Sequence, residues 1–215
     1  MQEDTDGVVP STNEEKLAKV ISYLFHPLLM PTYGFAFIFF TKNYISTFTA
    51  PNLKWIILGV TFVFTFFLPS INAIILLKMG RIKSLEMESS TERSVPYIST
   101  SFYYLALFYL FYNAQFPSVF KILILGAAIS VLLSFIINFW WKISAHTIGI
   151  GGLSGAALGI IYRLQIDMQF MLMILLLISG IVAYARLRLK THTPSQVYSG
   201  FALGFFVELL LMIFY

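Results

Sequence analysis

The chain has 215 residues, of which 58% are hydrophobic and 11% charged, with a mean hydropathy of +0.81. Soluble domains carry roughly 25% charged residues, so the composition excludes a soluble globular protein and indicates a polytopic membrane protein of one domain. Absence of Cys excludes a disulfide framework and thiolate metal sites, and a net charge of +4 gathered in a few loops favours anionic lipid or phosphate over nucleic acid as partner.

Residues 1–20 read as a polar tail, disordered or lying on a surface. Residues 1–19 are too acidic and polar for a cleavable signal peptide. The remainder, 21–215, reads as a single transmembrane domain. A spanning helix needs about 20 mostly apolar residues, and the apolar runs fall at 21–40, 53–77, 97–112, 118–139, 147–162, 168–184 and 194–215. The expected fold is therefore all-α: a helical bundle of six to seven transmembrane helices, with the third and fifth runs the shortest. Pro69 predicts a kink in the second run. Trp140 and Trp141, followed by Lys142, mark a membrane interface. Gly151, Gly155 and Gly159 recur at four-residue spacing in the fifth run, as do Gly200 and Gly204 in the seventh, and both predict close helix approach.

The polar segments before the third, fifth and seventh runs are each separated by two helices, so all three emerge on one membrane face. That face collects Lys78, Arg81, Lys83, Arg93, Lys142, Arg186, Arg188 and Lys190, and the positive-inside rule would make it cytoplasmic. The opposite loops hold Lys42, Lys54, Lys121, Arg163 and Asp167. Ionisable groups at a membrane edge are costly and mark candidate sites. The first segment supplies Glu92, Arg93 and then Pro96; the second supplies Ser144, Ala145 and His146 at the head of a helix. The third supplies Arg186, His192 and Gln196, with Thr193 and Pro194 reading as N-cap and first residue of the last helix. Two histidines, two arginines and helix N-termini suit phosphoryl transfer. Arg grips phosphate oxygens bidentately, helix N-termini favour anions, and His serves as nucleophile or acid. No carboxylate and histidine pattern suits a metal, and there is no acidic pair of the magnesium-binding kind.

Of the other polar groups, His26 before Pro27 opens the first helix and is either a structural histidine at an interface, the preferred reading, or a residue lining the site. Asn72 and Asn138 read as interhelical hydrogen-bonding residues. Glu208, deep in the seventh run, is protonated, paired across the bundle, or close to the far interface.

At these motifs the chain resembles the type 2 phosphatidic acid phosphatase superfamily, which also includes vanadium haloperoxidases. That family carries Lys-x6-Arg-Pro, Pro-Ser-Gly-His and Ser-Arg-x5-His-x3-Asp. The third signature is matched by Ala185-Arg186, five residues, His192, three residues and Gln196; the second by Ile143-Ser144-Ala145-His146. The first is matched by Arg93 with a displaced Pro96, and Lys83 precedes Arg93 by ten residues where the family has seven. The resemblance implies a metal-free and cofactor-free lipid phosphatase. His192 would be the nucleophile that forms a phosphohistidine, and His146 the acid for the leaving alcohol. Arg93, Arg186 and Ser144 would bind phosphate, with Lys83 as a third cation. It further implies a phosphorylated lipid as substrate, no nucleic acid, and the bacterial inner membrane as location. Gln196 replaces the family's final Asp, so it offers His192 a carbonyl oxygen and no charge; Glu92 or another carboxylate is the alternative source. A catalytically impaired binder or transporter of phosphorylated lipid is the alternative function.

Overall fold

A computed structural model describes residues 12–87 and 89–214. Ten α-helices follow in order: α1 (Asn13–Leu24), α2 (Met30–Phe40), α3 (Tyr44–Phe48), α4 (Pro51–Phe62), α5 (Leu68–Lys78), α6 (Ser90–Asn113), α7 (Ser118–Ile137), α8 (Ala145–Leu164), α9 (Gln169–Arg188) and α10 (Pro194–Phe214). No strand occurs among the described residues. Among the described residues, six stretches are long and apolar enough to cross a membrane: Asn13–Phe40, Pro51–Lys78, Ser118–Ile137, Ala145–Leu164, Gln169–Arg188 and Pro194–Phe214. The protein is an all-α polytopic membrane bundle. The third sequence run becomes α6, which is 24 residues long but rich in Tyr, Ser and Thr and falls outside those six. The short fifth run becomes α8 and belongs to them.

Helix α8 is the centre of the bundle, with 67% of its membrane window buried against 22–44% for the other five spans. Its glycines explain how. A Cβ at Gly151 would meet the Phe201 carbonyl oxygen, one at Gly155 the Phe205 carbonyl oxygen, and one at Gly204 the Ile148 carbonyl oxygen. The α8 and α10 backbones therefore lie directly on one another, as small residues permit. At one end of the bundle an aromatic core closes the packing: Phe35 stands 5.3 Å from Phe120, and Phe39 stands 5.4 Å from it. Such pairs add to the burial of their large surfaces.

Where Pro69 is expected to kink the second run, the helix is locally widened. Pro69 cannot donate to the Thr65 carbonyl, and the chain widens to a π-helical stretch at Val63–Phe67 just before it. The Thr65 oxygen instead accepts the Tyr104 hydroxyl at 3.4 Å. The polar tail expected over 1–20 is helical from Asn13 onward. Thr12 Oγ1 accepts the Glu15 N–H, and Glu15 returns a bond to the Thr12 N–H, which together make a capping box. Ala18 and Ser22 are buried on one face of α1, and that face packs on α9. The rest of the expected tail, residues 1–11, lies outside the described residues.

Candidate functional site

The end of the bundle opposite the aromatic core gathers the polar segments. Helix α7 ends where α6 begins, since Asn138 Nδ2 donates to the Ser90 carbonyl at 2.7 Å. The segment after α7 is stitched to the head of α10: the Ser144 N–H donates to the Gln196 carbonyl at 3.3 Å. His192 spans the same gap, with Nδ1 3.1 Å from the Lys142 carbonyl oxygen. Arg93 is buried and donates through Nε to the Met87 carbonyl at 2.8 Å, which holds the preceding loop against α6.

His192 is only 8% exposed. Its Nδ1 lies 3.3 Å from Gln196 Oε1 as well as near the Lys142 carbonyl. The oxygen of Gln196 is identified by its third neighbour, because it also accepts the Thr193 N–H at 3.1 Å. A carbonyl oxygen can only accept, so Nδ1 carries the hydrogen and Nε2 keeps a lone pair. Burial first, and then the charges of Arg186 and Arg93, lower the pKa of His192 from 6.5 to about 4 against the opposing bonds to Lys142 and Gln196. At neutral pH His192 is therefore a neutral imidazole with an unprotonated Nε2, beside two guanidinium groups.

Gln196 has a second role. The Gln196 N–H donates to Thr193 Oγ1 at 3.4 Å, while the Gln196 side chain accepts from the Thr193 N–H. Thr193 and Gln196 thus form a capping box around Pro194, the first residue of α10. The same carbonyl oxygen that caps the helix orients the histidine. Glu92, the alternative partner considered for His192, is turned elsewhere: its Oε1 accepts the Lys83 N–H at 3.2 Å.

The other histidine and arginine meet on α1. Arg186 Nη1 donates to Ser22 Oγ at 3.1 Å, and His146 Nε2 lies 3.2 Å from the Ser22 carbonyl oxygen. His146 Nε2 therefore carries hydrogen, which leaves Nδ1 for proton transfer in the neutral ring. His26 stands edge-on to His146 with ring centroids 5.6 Å apart, and its own Nδ1 accepts the Leu28 N–H at 3.3 Å. Ser22 is the neighbour of these groups that sequence reasoning missed, and it carries no signal of its own. His26, which the sequence offers as a structural histidine or one lining the site, stands beside His146.

Two donors in this cluster have no partner among the described residues. Ser144 is fully buried with an unpartnered Oγ, and Arg186 has an unpartnered, buried Nε. Ser144 also stands at the N-cap of α8 without making a side-chain capping bond, so the first N–H groups of α8 lack the side-chain acceptor that usually serves them. Leaving a buried donor unsatisfied costs about 1–3 kcal/mol. Anion oxygens would satisfy both donors and the helix terminus together.

The structure thus brings His192, Gln196, Arg186, Ser144, His146 and Arg93 to one end of the bundle. Lys83 is exposed, and its backbone N–H is tied down through Glu92. Beside His192 a hollow opens outward between Leu187, Lys190, Thr191 and Pro194. Among the described residues no group of three or more His, Cys, Asp or Glu stands close enough to hold a metal ion. Compared with known proteins, the chain matches no family model, no curated protein and no solved structure.

Proposed function

We propose that this membrane protein is a lipid phosphohydrolase that cleaves a lipid phosphate or pyrophosphate monoester through His192. The observation that carries the reading is the state of that residue. It is neutral, with hydrogen held on Nδ1 by two acceptors and a lone pair left on Nε2, close to Arg186 and Arg93. That is the form of imidazole able to attack phosphorus.

The proposed steps balance with the chain's own groups and water. Arg186 and Arg93 neutralise the phosphate oxygens, while Ser144 Oγ and the head of α8 donate to them. The Nε2 lone pair of His192 forms the N–P bond as the bond from phosphorus to the lipid oxygen breaks. That oxygen takes a proton that Nδ1 of neutral His146 relays from the bound phosphate monoester in its monoanionic form. His146 then removes a proton from water, whose oxygen attacks phosphorus and breaks the N–P bond, and passes that proton to the released phosphate, which restores both histidines. The resemblance to the type 2 phosphatidic acid phosphatase superfamily favours the same roles and a bacterial inner membrane as the setting.

One observation favours a second reading, a binder or transporter of phosphorylated lipid. Gln196 caps α10 and presents a neutral oxygen to His192, so the charge that would stabilise an imidazolium is missing. The experiment that separates the two is phosphate release by the purified full chain from a panel of phosphatidate, phosphatidylglycerol phosphate and polyprenyl pyrophosphate. The phosphohydrolase reading expects release from at least one of them and a loss of roughly three orders of magnitude or more in His192→Ala. Equal, background release from wild type and variant on every substrate would overturn it, and lipid binding retained under those conditions would support the second reading.

A further inference from the structure

Deep in the bundle stands one titratable side chain that the chemistry above does not use. Glu208 lies far down α10, about 21 Å along its axis from Pro194 at about 1.5 Å per residue. It is 5% exposed, and its Oε2 is buried without a hydrogen-bond partner among the described residues. The carboxyl is aimed at α7: a Cβ built on Gly126 would stand 2.5 Å from the carboxyl carbon of Glu208. An ionised carboxylate left unpaired at such depth costs several kcal/mol. The position calls for a proton and for something to exchange it with.

From Gly126 the same helix continues toward the basic end through Ser130, Ser134 and Asn138, every fourth residue. These are buried to 5%, 2% and 1% exposure. Ser134 Oγ donates to the Ser130 carbonyl at 2.6 Å, and Asn138 Nδ2 donates to the Ser90 carbonyl at the head of α6 at 2.7 Å. Ser130 Oγ and Asn138 Oδ1, like Glu208 Oε2, are buried and unpartnered. An apolar helix face would carry none of these costs, and a recurring row of unpartnered oxygens is what bound water explains. Side chains four apart on a helix stand about 5–6 Å from each other. One water making two hydrogen bonds of about 2.8 Å spans that distance.

We propose that Glu208, Ser130, Ser134 and Asn138 form a hydrated proton path along α7 that joins a protonatable site deep in the bundle to the basic face. In each passage Glu208 gives its proton to the adjoining water, and each water hands one of its own protons to the next. The reverse sequence reprotonates the carboxyl from the face where Asn138 meets Ser90. The path does not depend on the phosphohydrolase reading, because its test reads exchange at Glu208 and not turnover.

The test is infrared spectroscopy of the full-length protein in lipid, with the protonated carbonyl stretch of Glu208 identified by its loss in Glu208→Gln. On transfer to heavy water that band shifts promptly in wild type. In the double variant Ser130→Val with Ser134→Val the shift slows by roughly tenfold or more, as an added barrier of about 1.4 kcal/mol would produce. Ser179→Ala removes a buried hydroxyl on α9, off the path, and leaves the rate unchanged. Ser130→Ala removes one unpartnered hydroxyl and serves if the double variant does not fold. The proposal is overturned if Glu208→Gln removes no protonated-acid band, or if the wild-type band does not exchange. Equal exchange rates in the serine variants and wild type also overturn it.

Discussion

Among single residues, His192 and Gln196 form the pair on which the proposed chemistry depends. Burial and two neighbouring guanidinium groups hold His192 near a pKa of about 4, below its ordinary 6.5. The unfolded chain therefore binds more protons than the folded one between those values. The resulting contribution to stability is present above pH 6.5 and is lost as pH falls toward 4. Replacing Gln196 with Glu keeps the length of the side chain and its place in the capping box, and it sets a negative charge against Nδ1. The titration of His192, followed by NMR of labelled histidine against a His192→Ala blank, should begin at about 4 and move upward in Gln196→Glu. A midpoint already near 6.5 in wild type would contradict the electrostatic picture. If the missing charge limits turnover, the same variant raises phosphate release; if the site only binds, it does not.

Among the helices, the contact of α8 with α10 carries the site, since it sets the heads of both helices side by side at the basic end. One chemical change therefore has opposite effects at two glycines. Gly155→Ala pushes a Cβ into the Phe205 carbonyl oxygen, while Gly180 on α9 has nothing within 4 Å of the same position. Thermal unfolding in detergent should show Gly155→Ala destabilised by roughly 1–3 kcal/mol. Gly180→Ala should be stabilised by about 0.5–1 kcal/mol from helix propensity. Similar shifts in both variants would mean that backbone contact between α8 and α10 is not what holds them. The glycine spacing predicts this packing from sequence, and Pro69 marks the place where the helix is disturbed; the Tyr104 hydroxyl that bonds to the Thr65 carbonyl there has no such signal.

Over the whole molecule, what was legible in the sequence is what repeats or is long. Apolar runs gave the bundle, and the basic loops gave the face on which Arg186, His146 and His192 gather. What escaped depends on contacts between residues far apart in the chain. Ser22 holds both Arg186 and His146, yet it sits at the start of the first apolar run, just after a segment whose charges resemble a solvated tail, and only the packing of α1 against α9 makes it part of the site. Gln196 read as a departure from an acidic residue, and its capping role required the position of the Thr193 N–H. Asn138 reads from sequence as an interhelical hydrogen-bonding residue, but Ser130 and Ser134 give no signal inside an apolar run, because small hydroxyls barely disturb hydropathy. Lys83 was grouped with the site cations by sequence, whereas its side chain is exposed.

The central claim is that His192 bonds to phosphorus. Its most direct test is to quench the full-length protein with base during turnover of a phosphate-labelled lipid and map the label by mass spectrometry. The account predicts a base-stable, acid-labile phosphohistidine on His192 in wild type that is absent in His192→Ala. Phosphate release with no label on His192, or label that persists in His192→Ala, would contradict it.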